Sequence, residues 1–246
     1  MADVQYLEGP GGRRLAYALT AGAGPCVVFL SGYKSDMDGT KAVHLEAWAA
    51  ASGRAFLRLD YSGHGRSEGL FEQGCIGDWA ADAEAVITAV APGDRVIVGS
   101  SMGGWIGLLL CQRLSGITGF VGIAAAPDFT EDGFWATFTE AQRKTIMSDG
   151  QVALPSEYGE DYIITRKLIE DGRQQLVLRD SLALSCPVRL LQGTEDTAVT
   201  RDRALALLDH LQGPDVRLTL VKGVDHRFSE PDCLRLIEEM VQEVMP

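Results

Sequence analysis

A serine hydroxyl attacks carbonyl carbon usefully only when a nearby base takes its proton. Gly99-Ser100-Ser101-Met102-Gly103 fits the pattern G-x-S-x-G with Ser101 at its centre. RVIV before it reads as a strand, and GWIGLLLCQRL after it as a helix. That setting is a nucleophile elbow, in which a sharp, strained turn presents the hydroxyl at a helix N-terminus. Glycines flank the serine because side chains there would strike the neighbouring strand and helix. In the competing reading Ser100 or Ser101 only caps the helix, but the strand–turn–helix context favours the elbow. The base and its acid follow such a serine in the order Ser, Asp, His. Of four histidines, His44 lies on an early helix, His64 precedes the serine and His210 ends a late helix. His226 alone sits after the last strand, in GVDHRFS, so it is the candidate base. LLQGTED supplies Asp196 at a strand end to orient it, with Glu195 as the near alternative and Asp128 as a weaker one. An oxyanion hole needs two backbone N–H donors, assigned to Met102 and to Tyr33, which follows Gly32.

These residues require elements that bring them to one edge. Apolar runs of strand length alternate with helical patterns, which predicts an α/β fold with a mostly parallel central sheet flanked by helices. VQYLEGPGGRRLAYAL reads as an edge hairpin. The expected strands are 26–32, 55–61, 95–100, 117–126, 186–193 and 216–222. The expected helices are 41–53, 76–90, one from Met102, 201–211 and 231–244. Residues 128–182 break the rhythm, with short helical patterns, no good buried strand and the aromatics Phe129, Phe134, Trp135 and Phe138. They are read as a small helical lid inserted in a core of 1–127 and 183–246. Its aromatics are candidates for an apolar substrate pocket, although each serves equally well as packing. Its charges Arg143, Lys144, Arg166 and Lys167 read as solvated rather than as an anion site.

The chain has 246 residues and a net charge of −12, which disfavours nucleic acid and anionic membranes as partners. Its five cysteines are widely spaced with no CxxC pair, against a disulfide framework or a zinc site. YSGHGRSEG (61–69) lacks the spacing and lysine of a phosphate loop. No metal or cofactor is therefore expected. The N-terminus shows neither a signal peptide nor a transit peptide, and no apolar run spans a bilayer. The expectation is a cytoplasmic protein with no membrane insertion. Its oligomeric state is left open.

LDYSGHGRSEG, VGSSMGGW, QGTEDTAV and DHR together resemble the α/β-hydrolase superfamily over nearly the whole chain. FLSGYKSDMDGTKA, LPSEYGEDY and CPVRLLQGTED are similar to a narrower group that includes palmitoyl-protein thioesterase and acyl-glucuronide esterase. The resemblance implies the α/β-hydrolase fold and puts the family triad on Ser101, Asp196 and His226. Many enzymes of that fold carry His-Gly where this chain has Ser31-Gly32; a backbone donor tolerates the change. The expected activity is hydrolysis of small-molecule carboxylic esters or thioesters through an acyl-enzyme. The alternatives are a peptidase or C–C bond hydrolase using the same triad, and a ligand receptor that does not turn over.

Overall fold

The structure is a computed structural model that describes residues 1–155 and 161–246. The SEYGE stretch of the LPSEYGEDY motif falls outside the described residues. Strands β1 (Val4–Glu8), β2 (Arg14–Thr20) and β3 (Ala23–Leu30) lead into helix α1 (Thr40–Ala51) and β4 (Arg54–Leu59). Then follow α2 (Ile76–Val90), β5 (Arg95–Ser100), α3 (Met102–Arg113) and β6 (Ile117–Ile123). A long excursion carries a wide helical turn (Phe129–Trp135), α4 (Glu140–Asp149), β7 (Gln151–Leu154), β8 (Tyr162–Thr165), α5 (Arg166–Gly172) and β9 (Leu182–Ala183). The chain closes with β10 (Val188–Gly193), α6 (Arg201–His210), β11 (Leu211–Gln212), β12 (Val216–Val221) and α7 (Pro231–Glu243).

Eight strands form the main sheet in the order β1-β2-β4-β3-β5-β6-β10-β12. The β1–β2 and β2–β4 pairs are antiparallel and the rest are parallel. Parallel strands are buried on both faces, hence the unbroken apolar runs. Alternate side chains serve opposite layers. Val28, Leu30 and Ile97 pack with α2 and α3, through Trp79, Ala83, Trp105 and Leu108. Val27, Phe29, Val96 and Val98 pack with α1 and α7, through Leu45, Ala49, Ile237 and Val241. All five cysteines are free. Among the described residues, no helix is long and apolar enough to cross a membrane.

The excursion between β6 and β10 departs from the expected all-helical segment. β7 and β8 pair antiparallel, Gln151 opposite Thr165, and β9 pairs with β11. The hairpin was hidden because QVAL alternates only between exposed and half-buried positions, with no buried face to produce a strong pattern. The excursion does pack on the main body, as expected. Ile146, Ile164, Leu168 and Ile169 enter the core layer of α2 and α3. Trp105 Nε1 donates to the Gln175 carbonyl at 2.9 Å.

Candidate active site

Strand register explains why distant residues meet. Leu30 of β3 pairs with Gly99 of β5, so the Ser31-Gly32-Tyr33 loop leaves the sheet beside Ser101. Ser100 pairs with Ile123 of β6, which also faces Leu191 of β10, and Gly193 pairs with Val221 of β12. The carboxyl ends of these strands, where crossovers diverge from β3 and β5, are where open α/β sheets bind ligands.

Ser101 has φ 54° and ψ −117°, a strained backbone for a residue with a side chain. Its N–H donates to Ile123 O at 2.9 Å, and its carbonyl accepts from Gly104 and Ala126. The hydroxyl makes no capping bond to α3, so the helix-cap reading lacks its defining contact. A Cβ on Gly99 would overlap the Gly103 carbonyl, and one on Gly103 would overlap the Leu30 carbonyl. Helix and strand approach that closely only because both residues are glycine.

His226 Nε2 lies 3.1 Å from Ser101 Oγ, and its Nδ1 lies 2.8 Å from Asp196 Oδ2. A carboxylate at Nδ1 keeps the ring proton there and leaves the Nε2 lone pair facing the serine. Asp196 is buried. Its Oδ1 accepts from the N–H groups of Ala198 (2.9 Å) and Val199 (2.7 Å). Burial alone would raise this carboxyl, but hydrogen bonds from His226, the Val199 N–H and Gln192 bring it below the ordinary aspartate value. Glu195 is exposed. Asp128 is fully buried and accepts from the N–H groups of Val177 and Leu178, binding the two ends of the excursion together. His44 pairs with Glu238 and His210 with the Asp180 carbonyl. His64 is buried among Tyr61, Phe71 and Trp79.

Met102 opens α3, so its N–H is one that the helix leaves without an internal partner. A Cβ on Gly32 would sit 3.3 Å from Ser101 Cβ and 3.9 Å from Oγ, which brings the start of the Tyr33 loop against Ser101. The Tyr61 hydroxyl donates to the Ser31 carbonyl at 3.2 Å and steadies that loop.

A cleft of about 1040 Å³ opens over Ser101 and His226. Phe129 and Phe134 line it, as the sequence suggested, together with Tyr33, Tyr162 and Val199. Trp135 and Phe138 do not line it. Phe138 is buried in the core, and Trp135 packs edge-on against Phe138 beneath the guanidinium groups of Arg143 and Arg173. Tyr162 closes the LPSEYGEDY motif but was given no role, because the strand that aims it at the cleft was hidden. Lys41 was also missed; it lines the cleft, and Nζ donates to the Arg227 carbonyl at 2.5 Å. Burial lowers the Lys41 ammonium to about 8, against an opposing pull from Asp225. The lid charges Arg166 and Lys167 lie outside this cleft; Lys167 pairs with Asp78 at 2.6 Å.

A profile of the Alpha/beta hydrolase family matches residues 27–237. The rat protein named palmitoyl-protein thioesterase ABHD10, mitochondrial, is 35% identical over 237 residues, covering 95% of this chain and 80% of the relative. A crystal structure from Agrobacterium vitis S4, provisionally described as a hydrolase, is 38% identical, with a TM-score of 0.95 and full coverage of both chains. Mouse alpha/beta hydrolase domain-containing protein 10 is 33% identical, with a TM-score of 0.91, covering 99% of this chain and 98% of that one.

Proposed function

The chain belongs to the alpha/beta hydrolase family, and from that premise we propose that it cleaves carboxylic esters and thioesters through an acyl-enzyme on Ser101. His226 takes the hydroxyl proton as Ser101 attacks the carbonyl carbon. Asp196 holds the imidazole tautomer and offsets the positive charge that forms on it. The N–H groups of Met102 and Tyr33 receive the developing oxyanion. His226 then protonates the departing alcohol or thiol, and water, activated by the same imidazole, hydrolyses the acyl-serine.

The observation that carries this reading is the unbroken relay Ser101 Oγ–His226–Asp196, at 3.1 and 2.8 Å, opening onto the aromatic cleft. We assign the acyl group to the wall formed by Tyr33, Phe129, Phe134 and Tyr162, and the segment 128–182 to a lid over it. The mammalian relatives are named as palmitoyl-protein thioesterases, which directs the first assays to long-chain acyl thioesters. They are also named as mitochondrial, so the cytoplasmic location expected from the N-terminal sequence gains no support from them.

The test is covalent labelling. Wild-type protein is expected to take up one fluorophosphonate on Ser101 and to hydrolyse p-nitrophenyl esters. Ser101→Ala should lose both while keeping the same far-UV circular dichroism. Near-normal turnover by that variant would refute the assignment.

A further inference from the structure

Asp196 Oδ2 accepts a second hydrogen bond besides that from His226. Gln192, buried near the end of β10, donates to it from Nε2 at 2.9 Å. The same Nε2 lies 2.8 Å from the Val199 carbonyl and 3.2 Å from the Gly193 carbonyl. Three acceptors surround this end of the amide, so only the NH2 group fits there; the opposite orientation would set oxygen against oxygen. The other end, Oε1, is buried with no hydrogen-bond partner among the described residues. An orphaned buried carbonyl is destabilising. A purely space-filling residue at this position would be better as leucine or methionine. We propose that Gln192 is a positioning residue of the triad, held in place for its N–H donor despite that cost. The proposal rests on the assignment of Ser101, His226 and Asp196.

The amide does two things to the carboxylate. With Ala198 and Val199 on Oδ1 and Gln192 on Oδ2, the carboxylate plane cannot turn, so Oδ2 stays aimed at Nδ1. The donor also draws negative charge from Oδ2, which weakens the hold of Asp196 on a protonated imidazole. Gln192 therefore sets both the aim and the strength of the bond that Asp196 offers His226. The other charged groups around this cluster are Glu195 on its own turn, Asp225 and Arg227 flanking His226, and Lys41 across the cleft wall.

The experiment is the pH profile of kcat/KM on p-nitrophenyl acetate for wild type, Gln192→Leu, Gln192→Glu and Asp196→Asn, with the melting temperature of each. Losing the donor frees the carboxylate to swing, so kcat of Gln192→Leu should fall about tenfold to a hundredfold. In Gln192→Glu two adjacent carboxyl groups share one proton, and that proton replaces the lost N–H. This variant should work best at low pH and lose kcat as the shared proton leaves, a loss wild type does not show. A space-filling role would move the melting temperature alone. If Gln192→Leu does not fold, the profile of Gln192→Glu decides. Wild-type limbs and kcat in the folded Gln192 variants, with activity collapsing in Asp196→Asn, would overturn the proposal and leave the triad standing. Unimpaired Asp196→Asn would overturn both.

Discussion

Ser101 sits where it does because two neighbours lack side chains. Gly99 lets α3 descend onto β5, and Gly103 lets the same helix touch the end of β3. The space a methyl would need at residue 103 is filled by the carbonyl groups of Leu30 and Ser31, which are main chain and have no rotamer to escape into. Gly103→Ala must therefore push α3 away from β3. Overpacking of this kind costs about 1–3 kcal/mol, which for a chain of this size lowers the melting temperature by roughly 2–12 °C. The shift also separates the Met102 N–H from the Tyr33 loop, so fluorophosphonate labelling should slow at least about tenfold. Labelling at the wild-type rate, with unchanged melting, would mean that the close approach is not required. The motif pattern announced these glycines, because the reason for them is local. The signal for Gln192 was absent, because its importance arises only when β10 delivers it beneath a carboxylate four residues later.

At the scale of elements, strands buried on both faces were the legible part. RVIVGS and IGDWAADAEAVITAV have the limits expected, because uninterrupted apolar runs and helical spacing each mark a fully packed element. The β7–β8 hairpin was illegible, since only Ile164 of it is fully buried. The cleft wall was half legible. Phe129 and Phe134 face the site while Trp135 and Phe138 turn from it, a division set by the wide helical turn and invisible in a list of aromatics. Contacts between elements are illegible for the same reason, and Lys41 shows the consequence. In the first turn of α1, it donates to the residue following His226, tying one helix to the loop between β12 and α7. Phe228, fully buried at φ 49°, pins the other side of that loop. Lys41→Met keeps the apolar stem and removes the donor. Its kcat on p-nitrophenyl acetate should fall about tenfold, the scale expected when a base is displaced by a fraction of an ångström. A kcat within twofold of wild type would show that the Lys41 bond is not needed to place His226.

Across the whole molecule, the loop after β4 links the stability of the fold to the site, and it carries two groups that titrate in opposite senses. Asp60 accepts from the Met37 and Arg66 N–H groups, and His64 packs between Tyr61, Phe71 and Trp79 with its Nε2 buried and unpaired among the described residues. Burial raises the Asp60 carboxyl to about 6 and lowers the His64 imidazole to about 4. As pH falls from 6.5, the ordinary imidazole value, the unfolded chain takes up a proton at His64 that the folded chain refuses. Stability is lost through that window, by about 3 kcal/mol when pH 4 is reached. Asp60 works in reverse. Its folded form takes a proton from pH 6 downward, before the unfolded form does near 3.8, and so gains a similar amount. Between pH 6 and 4 the two slopes oppose each other, and the loop holding Tyr61 against Ser31 is buffered against acid. His64→Phe removes one arm of this balance. Its unfolding free energy relative to wild type should rise by about 3 kcal/mol between pH 7 and pH 4, read from urea midpoints at several pH values. A difference that stays constant across that range would show that the buried imidazole charges as readily in the folded chain as in the unfolded one.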